Sequence, residues 1–331
     1  MLSSFTKFII RRTIYAVVTF FVALVLIFII PRLIAVNPIE LIAAANQLPP
    51  SATSKLISEF GLNKPVYIQF LYYVKNVMFS FPPNLGFSYD YYPSTVWSLI
   101  ADSLPYTFLI VLPSIFIASI IGTYLGLYSG WKRGSKLDKA SIYSSITIQS
   151  LPYFWIALIL QILLAVILRI FPIGGALSIS DVSPVFSFYH VSDLLYHAML
   201  PIITLIVSIF PVYTIIARNN VIEVVNEDFV AVGILKGLKK KRILNTYVMR
   251  NAILPVITMI SVNLGTVIGS SLLVQIVFNY PGIGTLLYDA ILGHDYPLIE
   301  GIFYILALIV ILGNYISDLF YSFIDPRIRY S

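Results

Sequence analysis

The side chains best suited to metal ligation or proton transfer near neutral pH are three histidines, His190, His197 and His294. Their spacing matches no zinc-ligand pattern, and all three fall near connections expected on the outer side of a membrane. The chain has no cysteine, which removes disulfide frameworks, thiolate metal sites and cysteine nucleophiles together. No G-x-x-x-x-G-K-[ST] loop is present. Gly237 is followed by Leu238-Lys239-Lys240, which lacks both the loop length and the Ser or Thr that would hold Mg²⁺, so the chain does not hydrolyse ATP by itself. There is no G-x-S-x-G elbow, no H-E-x-x-H zinc helix and no recognisable acid-base pair. The chemistry that remains is recognition, and it is concentrated between Arg218 and Pro255. This segment holds Arg218-Asn219-Asn220, the run Asp228 to Leu238, the cations Lys239-Lys240-Lys241-Arg242, and Arg250-Asn251-Ala252-Ile253-Leu254-Pro255.

The elements that carry this segment are built for lipid. Hydrophobic residues make up 59% of the 331, charged residues 11%, and mean hydropathy is +0.90. Apolar runs long enough to cross roughly 30 Å of hydrocarbon recur along the chain. Six are expected, near residues 9–31, 106–128, 141–170, 197–217, 253–278 and 298–324. The first follows Lys7, Arg11 and Arg12 but is longer than a secretory h-region and lacks a small-x-small cleavage site, so it reads as an uncleaved span. An even number of spans places both termini on one side. That side then holds sixteen of the 21 Lys and Arg residues, against Arg32, Lys55, Lys64, Lys75 and Arg169 on the other. Positive charge is retained in the cytoplasm, so both termini and the Arg218–Pro255 segment are expected there, and the net charge of +6 reports topology rather than nucleic-acid binding.

The expected organisation is therefore an all-α integral membrane protein. Residues 1–31 form the cytoplasmic N-terminus and first span, 32–105 an extracytoplasmic segment, 106–324 a five-helix core with a cytoplasmic loop at 218–252, and 325–331 the cytoplasmic C-terminus. The outer segment is far longer than a turn needs and carries helix signals. Ser51 caps a short helix ended by Gly61. Pro65 opens another, with Val66, Phe70, Val74 and Val77 at helical spacing up to Met78; Pro82-Pro83 breaks it, and a third runs from Ser94 towards Leu104. These small helices fit either a docking platform for a soluble partner or a packed cap. Gly122-x-x-x-Gly126 and Gly265-x-x-x-Gly269 read as helix-packing pairs. Asn263, Thr266 and Ser270 form one polar stripe on the fifth span, expected to face other helices or a wet translocation pathway. Asp318 reads as a structural contact to Arg327 or nearby backbone rather than a proton relay. Asp and Glu are absent from the middle of every span, which argues against a proton- or sodium-driven carrier.

Residues Val221 to about Leu235 have helical composition, with Glu223, Glu227 and Asp228 early and the cations from Lys236 to Arg242 late, the polarity a helix dipole favours; Gly237 ends the helix. A short helix beyond the bilayer fits a groove in another protein, while a solvated basic loop would instead bind anionic lipid. In its residues the segment resembles the coupling (EAA) loop of ABC importer membrane subunits of the dipeptide/oligopeptide permease family. The family pattern is roughly aromatic-V-x-x-A-x-A-K-G-L followed by R-N-A-L-L-P; here stand Phe229-Val230-Ala231-Val232-Gly233-Ile234-Leu235-Lys236-Gly237-Leu238 and Arg250-Asn251-Ala252-Ile253-Leu254-Pro255. The resemblance extends to Arg11-Arg12, Gly61-Leu62-Asn63-Lys64-Pro65, Leu85-Gly86-Phe87-Ser88, Leu104-Pro105-Tyr106-Thr107, Pro152-Tyr153-Phe154-Trp155, Phe278-Asn279-Tyr280-Pro281-Gly282, Asp295-Tyr296-Pro297 and Asp325-Pro326-Arg327.

That resemblance implies a type I ABC importer permease fold with six transmembrane helices in the cell membrane. It implies a second homologous permease subunit, two ABC ATPases holding ATP and Mg²⁺, and an extracytoplasmic substrate-binding protein, with no cofactor on this chain. Carried over by motif position, Phe229, Val230, Ala231, Gly233, Lys236, Gly237 and Leu238 make the ATPase contact, and Arg250, Asn251 and Pro255 anchor the return to the fifth span. The chain departs from the family where Gly233-Ile234-Leu235 replaces the usual A-R-A, where Val36-Asn37-Pro38 stands for a P-G-D-P turn, and where Ser103 replaces a frequent arginine. Peptides are the expected cargo. Oligosaccharides or a nickel chelate carried by the same machinery, and an ATP-independent channel, are the alternatives.

Overall fold

The computed structural model describes residues 4–33, 64–178 and 187–324. The expected Ser51–Gly61 helix, the Val36-Asn37-Pro38 turn, Arg327 and the terminal Asp325-Pro326 lie outside the described residues. Those residues are almost wholly helical; the only β feature among them is an isolated bridge between Phe87 and Thr95. In chain order the helices are α1 Ser4–Arg32, α2 Val66–Met78, α3 Val96–Trp131, α4 Lys136–Gln149 and α5 Tyr153–Leu160, which continues as a π-helix Gln161–Ile167. There follow α6 Phe188–Val225, α7 Asp228–Leu235, α8 Lys240–Arg242, a π-helix Ile243–Val248, α9 Met249–Ala252, α10 Leu254–Val277, α11 Ile283–Leu292 and α12 Tyr296–Ile324. Four helices, α1, α3, α6 and α12, are long and apolar enough to cross a membrane, and α4 with α5 forms a fifth candidate bent by 102°.

Several expected boundaries shift, each for a local reason. The short outer helix from Ser94 and the second span are one helix, because Pro105 sits within α3 without breaking it. Proline is tolerated in long apolar helices where neighbouring groups compensate the lost donor. The third span is not straight. Ser150 closes α4, and Pro152, with extended backbone at φ −60°, ψ 143°, opens α5 in a new direction. α6 extends to Val225, and the single helix expected from Val221 to Leu235 is split at Asn226 and Glu227. α2 begins after Pro65 and ends at Met78 as the spacing predicts.

The chain forms two compact units, Met1–Tyr106 with Pro281–Ser331, and Thr107–Tyr280. In the first, α1 runs antiparallel along α12. The Arg12 guanidinium lies 3.1 Å from the Asp318 carboxylate, the Thr13 and Tyr315 hydroxyls are 2.9 Å apart, and Arg32 donates to Glu300 at 2.5 Å while its guanidinium lies 3.7 Å above the Phe28 ring. Asp318 thus pairs with Arg12, a partner some 300 positions away that local sequence reading had no means to find. Asp295 caps α12 through the Leu298 N–H at 3.1 Å and collects the Ser88 hydroxyl and the Tyr89 and Asp90 N–H groups, at 2.9 and 3.1 Å. Burial pushes this carboxyl up from the usual range, and the four donors pull it back. The network thereby joins two of the quoted segments, Leu85-Gly86-Phe87-Ser88 and Asp295-Tyr296-Pro297.

In the second unit, α3 and α6 touch backbone to backbone. A Cβ at Gly122, Gly126 or Gly130 would lie 2.4 Å from the Phe210 oxygen, 2.4 Å from the Thr214 oxygen or 2.8 Å from the Arg218 oxygen. The Gly122/Gly126 pair is therefore a packing motif, extended by Gly130 one turn further. Gly269 differs: a Cβ there would meet nothing within 4 Å.

Candidate functional site

The Arg218–Pro255 segment begins inside α6. At 38 residues that helix is roughly 57 Å long at 1.5 Å per residue, well beyond the hydrocarbon thickness. Its last turns are held by a part-buried ion pair. Arg218 Nε and Nη2 donate to the two Asp138 carboxylate oxygens at 2.6 and 3.1 Å, and Asp138 also accepts the Gly134 N–H at 2.8 Å. The same Asp is fixed from below, since its own N–H donates to Ser135 Oγ, the N-cap of α4. Sequence reading did not single out Asp138; the Ser135-x-x-Asp138 spacing before a helix was the available signal.

Asn226 closes α6 and Glu227, in extended backbone at φ −75°, ψ 145°, starts α7 with Asp228 in its first turn. The far end of α7 is a Schellman cap: the Leu238 N–H reaches Gly233 O at 3.3 Å and the Gly237 N–H reaches Ile234 O at 2.9 Å. The cap requires a left-handed residue, and Gly237 has φ +71°. A glycine-terminated helix was legible in sequence, and here it has its geometric reason.

α7 has two contrasting sides. Val230 and Gly233 are buried, with Leu238 Cδ1 and Ile243 Cγ1 lying 3.8 and 3.9 Å from where a Gly233 Cβ would be. Phe229, Val232, Ile234 and Leu235 are exposed, Leu235 by 85%. Of the seven residues expected at the partner contact, Phe229, Ala231, Lys236 and Gly237 therefore stand outward, while Val230, Gly233 and half-buried Leu238 seat the helix on the return strand of the loop. Val232, Ile234 and Leu235 join the outward face, which the motif alone did not assign. Lys236 and the cations from Lys239 to Arg242 surround it, all exposed.

The return to the membrane packs Ile243, Leu244, Val248, Ala252 and Val256 inward, a continuous buried ridge through the π-helix and α9. Arg250 and Asn251 are exposed, and Asn251 Nδ2 donates back to Tyr247 O of the preceding π-helix at 2.7 Å; Pro255 occupies the first turn of α10, where its missing N–H is not needed. The link across to α6 is made by Asn220, whose Nδ2 lies 3.4 Å from Ala252 O. On α10 the polar stripe divides. Asn263 is buried next to the Tyr213 hydroxyl of α6, whereas Thr266 and Ser270 return their hydroxyls to the carbonyls of Asn263 and Thr266 at 3.2 and 3.0 Å.

A profile of the family described as "Binding-protein-dependent transport system inner membrane component" matches residues 118–330, and one for the N-terminal part of such membrane components matches residues 5–111. The chain belongs to this family of transport-system membrane components. Its relatives include the oligopeptide transport system permease protein AppB of Bacillus subtilis, 32% identical over 323 residues that cover 98% of this chain and 99% of the relative. The di/tripeptide transport system permease protein DppB of Pseudomonas aeruginosa is 32% identical over 336 residues, and the dipeptide transport system permease protein DppB of Escherichia coli 30% over 339, each covering 98% of this chain and 99% of the relative. The inner-membrane component is thus matched end to end, with α7 and its cap inside the larger of the two matched regions.

Proposed function

We propose that this chain is one of two related membrane subunits of an ATP-driven importer, forming half of the pathway for peptides delivered by an extracytoplasmic binding protein. The observation that carries this reading is the end-to-end similarity to proteins named as oligopeptide, di/tripeptide and dipeptide permeases. Those names favour peptides over oligosaccharides or a nickel chelate as cargo. In this reading the chain crosses the membrane six times, through α1, α3, the bent α4–α5 pair, α6, α10 and α12, with both termini and α7 in the cytoplasm. It binds no nucleotide. ATP and Mg²⁺ sit on two partner ATPases, and the outward face of α7, centred on Phe229, Val232, Ile234 and Leu235, enters a cleft of one of them. Closure of the ATPase pair then displaces α7 and rocks the helices between inward- and outward-facing states. Asn263, Thr266 and Ser270 mark the pathway in this reading, Thr266 being its exposed member and Asn263 buried beside Tyr213, and Arg250, Asn251 and Pro255 shape the return of the loop.

The test is reconstitution of the permease pair with its ATPases in vesicles, comparing binding proteins loaded with peptide and with oligosaccharide. Peptide-loaded protein stimulates ATP hydrolysis and peptide entry. Stimulation by sugar-loaded protein alone would overturn the cargo, and flux without ATP or an associated ATPase would overturn the importer.

A further inference from the structure

α2 presents three sectors around its axis. Phe70, Tyr73 and Val77 face the protein: the Phe70 ring lies 5.2 Å from Phe28 and 6.3 Å from Phe21 of α1, the Tyr73 ring 5.6 Å from Phe28, and Val77 is buried. Gln69, Tyr72 and Asn76 lie on one flank of this sector, roughly 100° round at about 100° per residue. On the other flank, roughly 100° round and within about 40° of one another on the same wheel, lie Tyr67, Leu71 and Met78. They are 68%, 64% and 51% exposed.

α1 supplies a depth scale. Its charge-free stretch from Arg12 to Arg32 is roughly 30 Å long at 1.5 Å per residue, the thickness of the hydrocarbon core. On that scale Phe28 lies about 6 Å and Phe21 about 16 Å inside Arg32. Since Phe70 touches both rings, α2 sits beside α1 within one leaflet and not above the membrane. The exposed apolar surface of α1 includes Val22, Leu26 and Ile29, for which hydrocarbon is a suitable surrounding, and Tyr67, Leu71 and Met78 are carried on the helix that packs beside it. Lys75, next to Leu71 on the wheel, has the stem length to carry its charge out to the headgroups.

We infer that α2 is an interfacial membrane helix: Tyr67, Leu71 and Met78 lie among the acyl chains of the leaflet at the Arg32 end of α1, with Gln69, Tyr72 and Asn76 turned to headgroups and water. Lipid thereby holds the connection that leaves α1, and this sector is not a docking surface for a soluble protein. The inference depends on α1 crossing the bilayer and on nothing about cargo or ATP, so it stands or falls separately from the transport function.

The native chain has no cysteine, so single substitutions give clean nitroxide labels. In the full chain reconstituted in phosphatidylcholine–phosphatidylglycerol vesicles, labels at Tyr67→Cys, Leu71→Cys and Met78→Cys are expected to collide with oxygen, which partitions into lipid, several-fold more than with a water-soluble nickel chelate, relative to a label at Asn76→Cys. Nickel access at 67 and 71 equal to that at 76 overturns the inference. So does shielding from both reagents, which would mean protein covers the sector, and so does loss of access on adding purified binding protein. Three positions in one exposed sector guard against a single variant that misfolds.

Discussion

Leu235 is 85% exposed on a helix whose opposite side is fully seated, and this separates partner binding from folding. Leu235→Ala removes about three methylene equivalents at about 0.8 kcal/mol each, so about 2 kcal/mol is available only when another surface covers the side chain. Helix propensity does not fall, because alanine is the better helix former. The expected result is an unchanged melting temperature for the isolated permease with about thirtyfold weaker association of the ATPase, since 1.4 kcal/mol is a factor of ten. Val230→Ala is the opposite case: the side chain is 0% exposed, and its truncation costs about 2 kcal/mol of folding stability through lost burial and a cavity. Association is read by titrating labelled ATPase onto permease in lipid nanodiscs, stability by thermal unfolding in detergent, and coupling by stimulated ATP hydrolysis. If Leu235→Ala binds ATPase as tightly as the native chain, or lowers stability as much as Val230→Ala, the outward face of α7 is not the contact and the reasoning fails.

The other predictions concern what holds α7 in place. Gly126→Ala forces a Cβ to 2.4 Å from the Thr214 oxygen and 2.8 Å from Ala217 Cβ, so α3 and α6 must part at a cost of about 1–3 kcal/mol, seen as a lower melting temperature; Gly269→Ala, in a helix interior with open space around it, leaves that temperature unchanged or slightly raised. Asp138→Ala strands the Arg218 guanidinium and costs about 3 kcal/mol, and Asp138→Ala with Arg218→Met recovers part of it; strictly additive losses in the double-mutant cycle would show the pair to be uncoupled. Gly237→Ala strains a left-handed cap and destabilises α7 by about 1 kcal/mol, whereas Gly233→Ala meets only ordinary contacts and is neutral or slightly stabilising. Equal effects of the two, measured by hydrogen exchange across residues 228–238, would contradict the cap geometry.

Hydropathy made the membrane class and the cores of α1, α6 and α12 legible, and the Pro65 and Gly237 signals gave one helix start and one helix end correctly. A helix that is apolar on every side has no hydrophobic period to mark its limits, so the continuity of α3 through Pro105 was hidden; the 102° break at Ser150–Pro152 was hidden because residues 141–170 together have the length of one span. Where α6 ends was hidden too, because Val221 to Leu235 has helical composition throughout and only the extended backbone at Glu227 divides it. Long-range polar pairs were out of reach for a different reason: Arg12 with Asp318, Arg32 with Glu300, and Ser88 with Asp295 join residues hundreds of positions apart. At the candidate site, motif position located α7 but not its orientation. Which residues face out follows from Val230 and Gly233 seating on Ile243 and Leu238, a tertiary fact that one sequence does not contain.

The three glycines of α3 have a mechanical consequence. At Gly122, Gly126 and Gly130 α3 and α6 have no compressible side-chain layer between them, and just beyond, Arg218 clamps α6 to Asp138 at the start of α4. In the proposed importer a push on α7 would reach α6 through the two-residue joint Asn226-Glu227 and the rest of the loop through the seat on Ile243. From Phe210 to Val221 α6 would pass that push to α3 by close contact at the glycines instead of absorbing it in side-chain rearrangement.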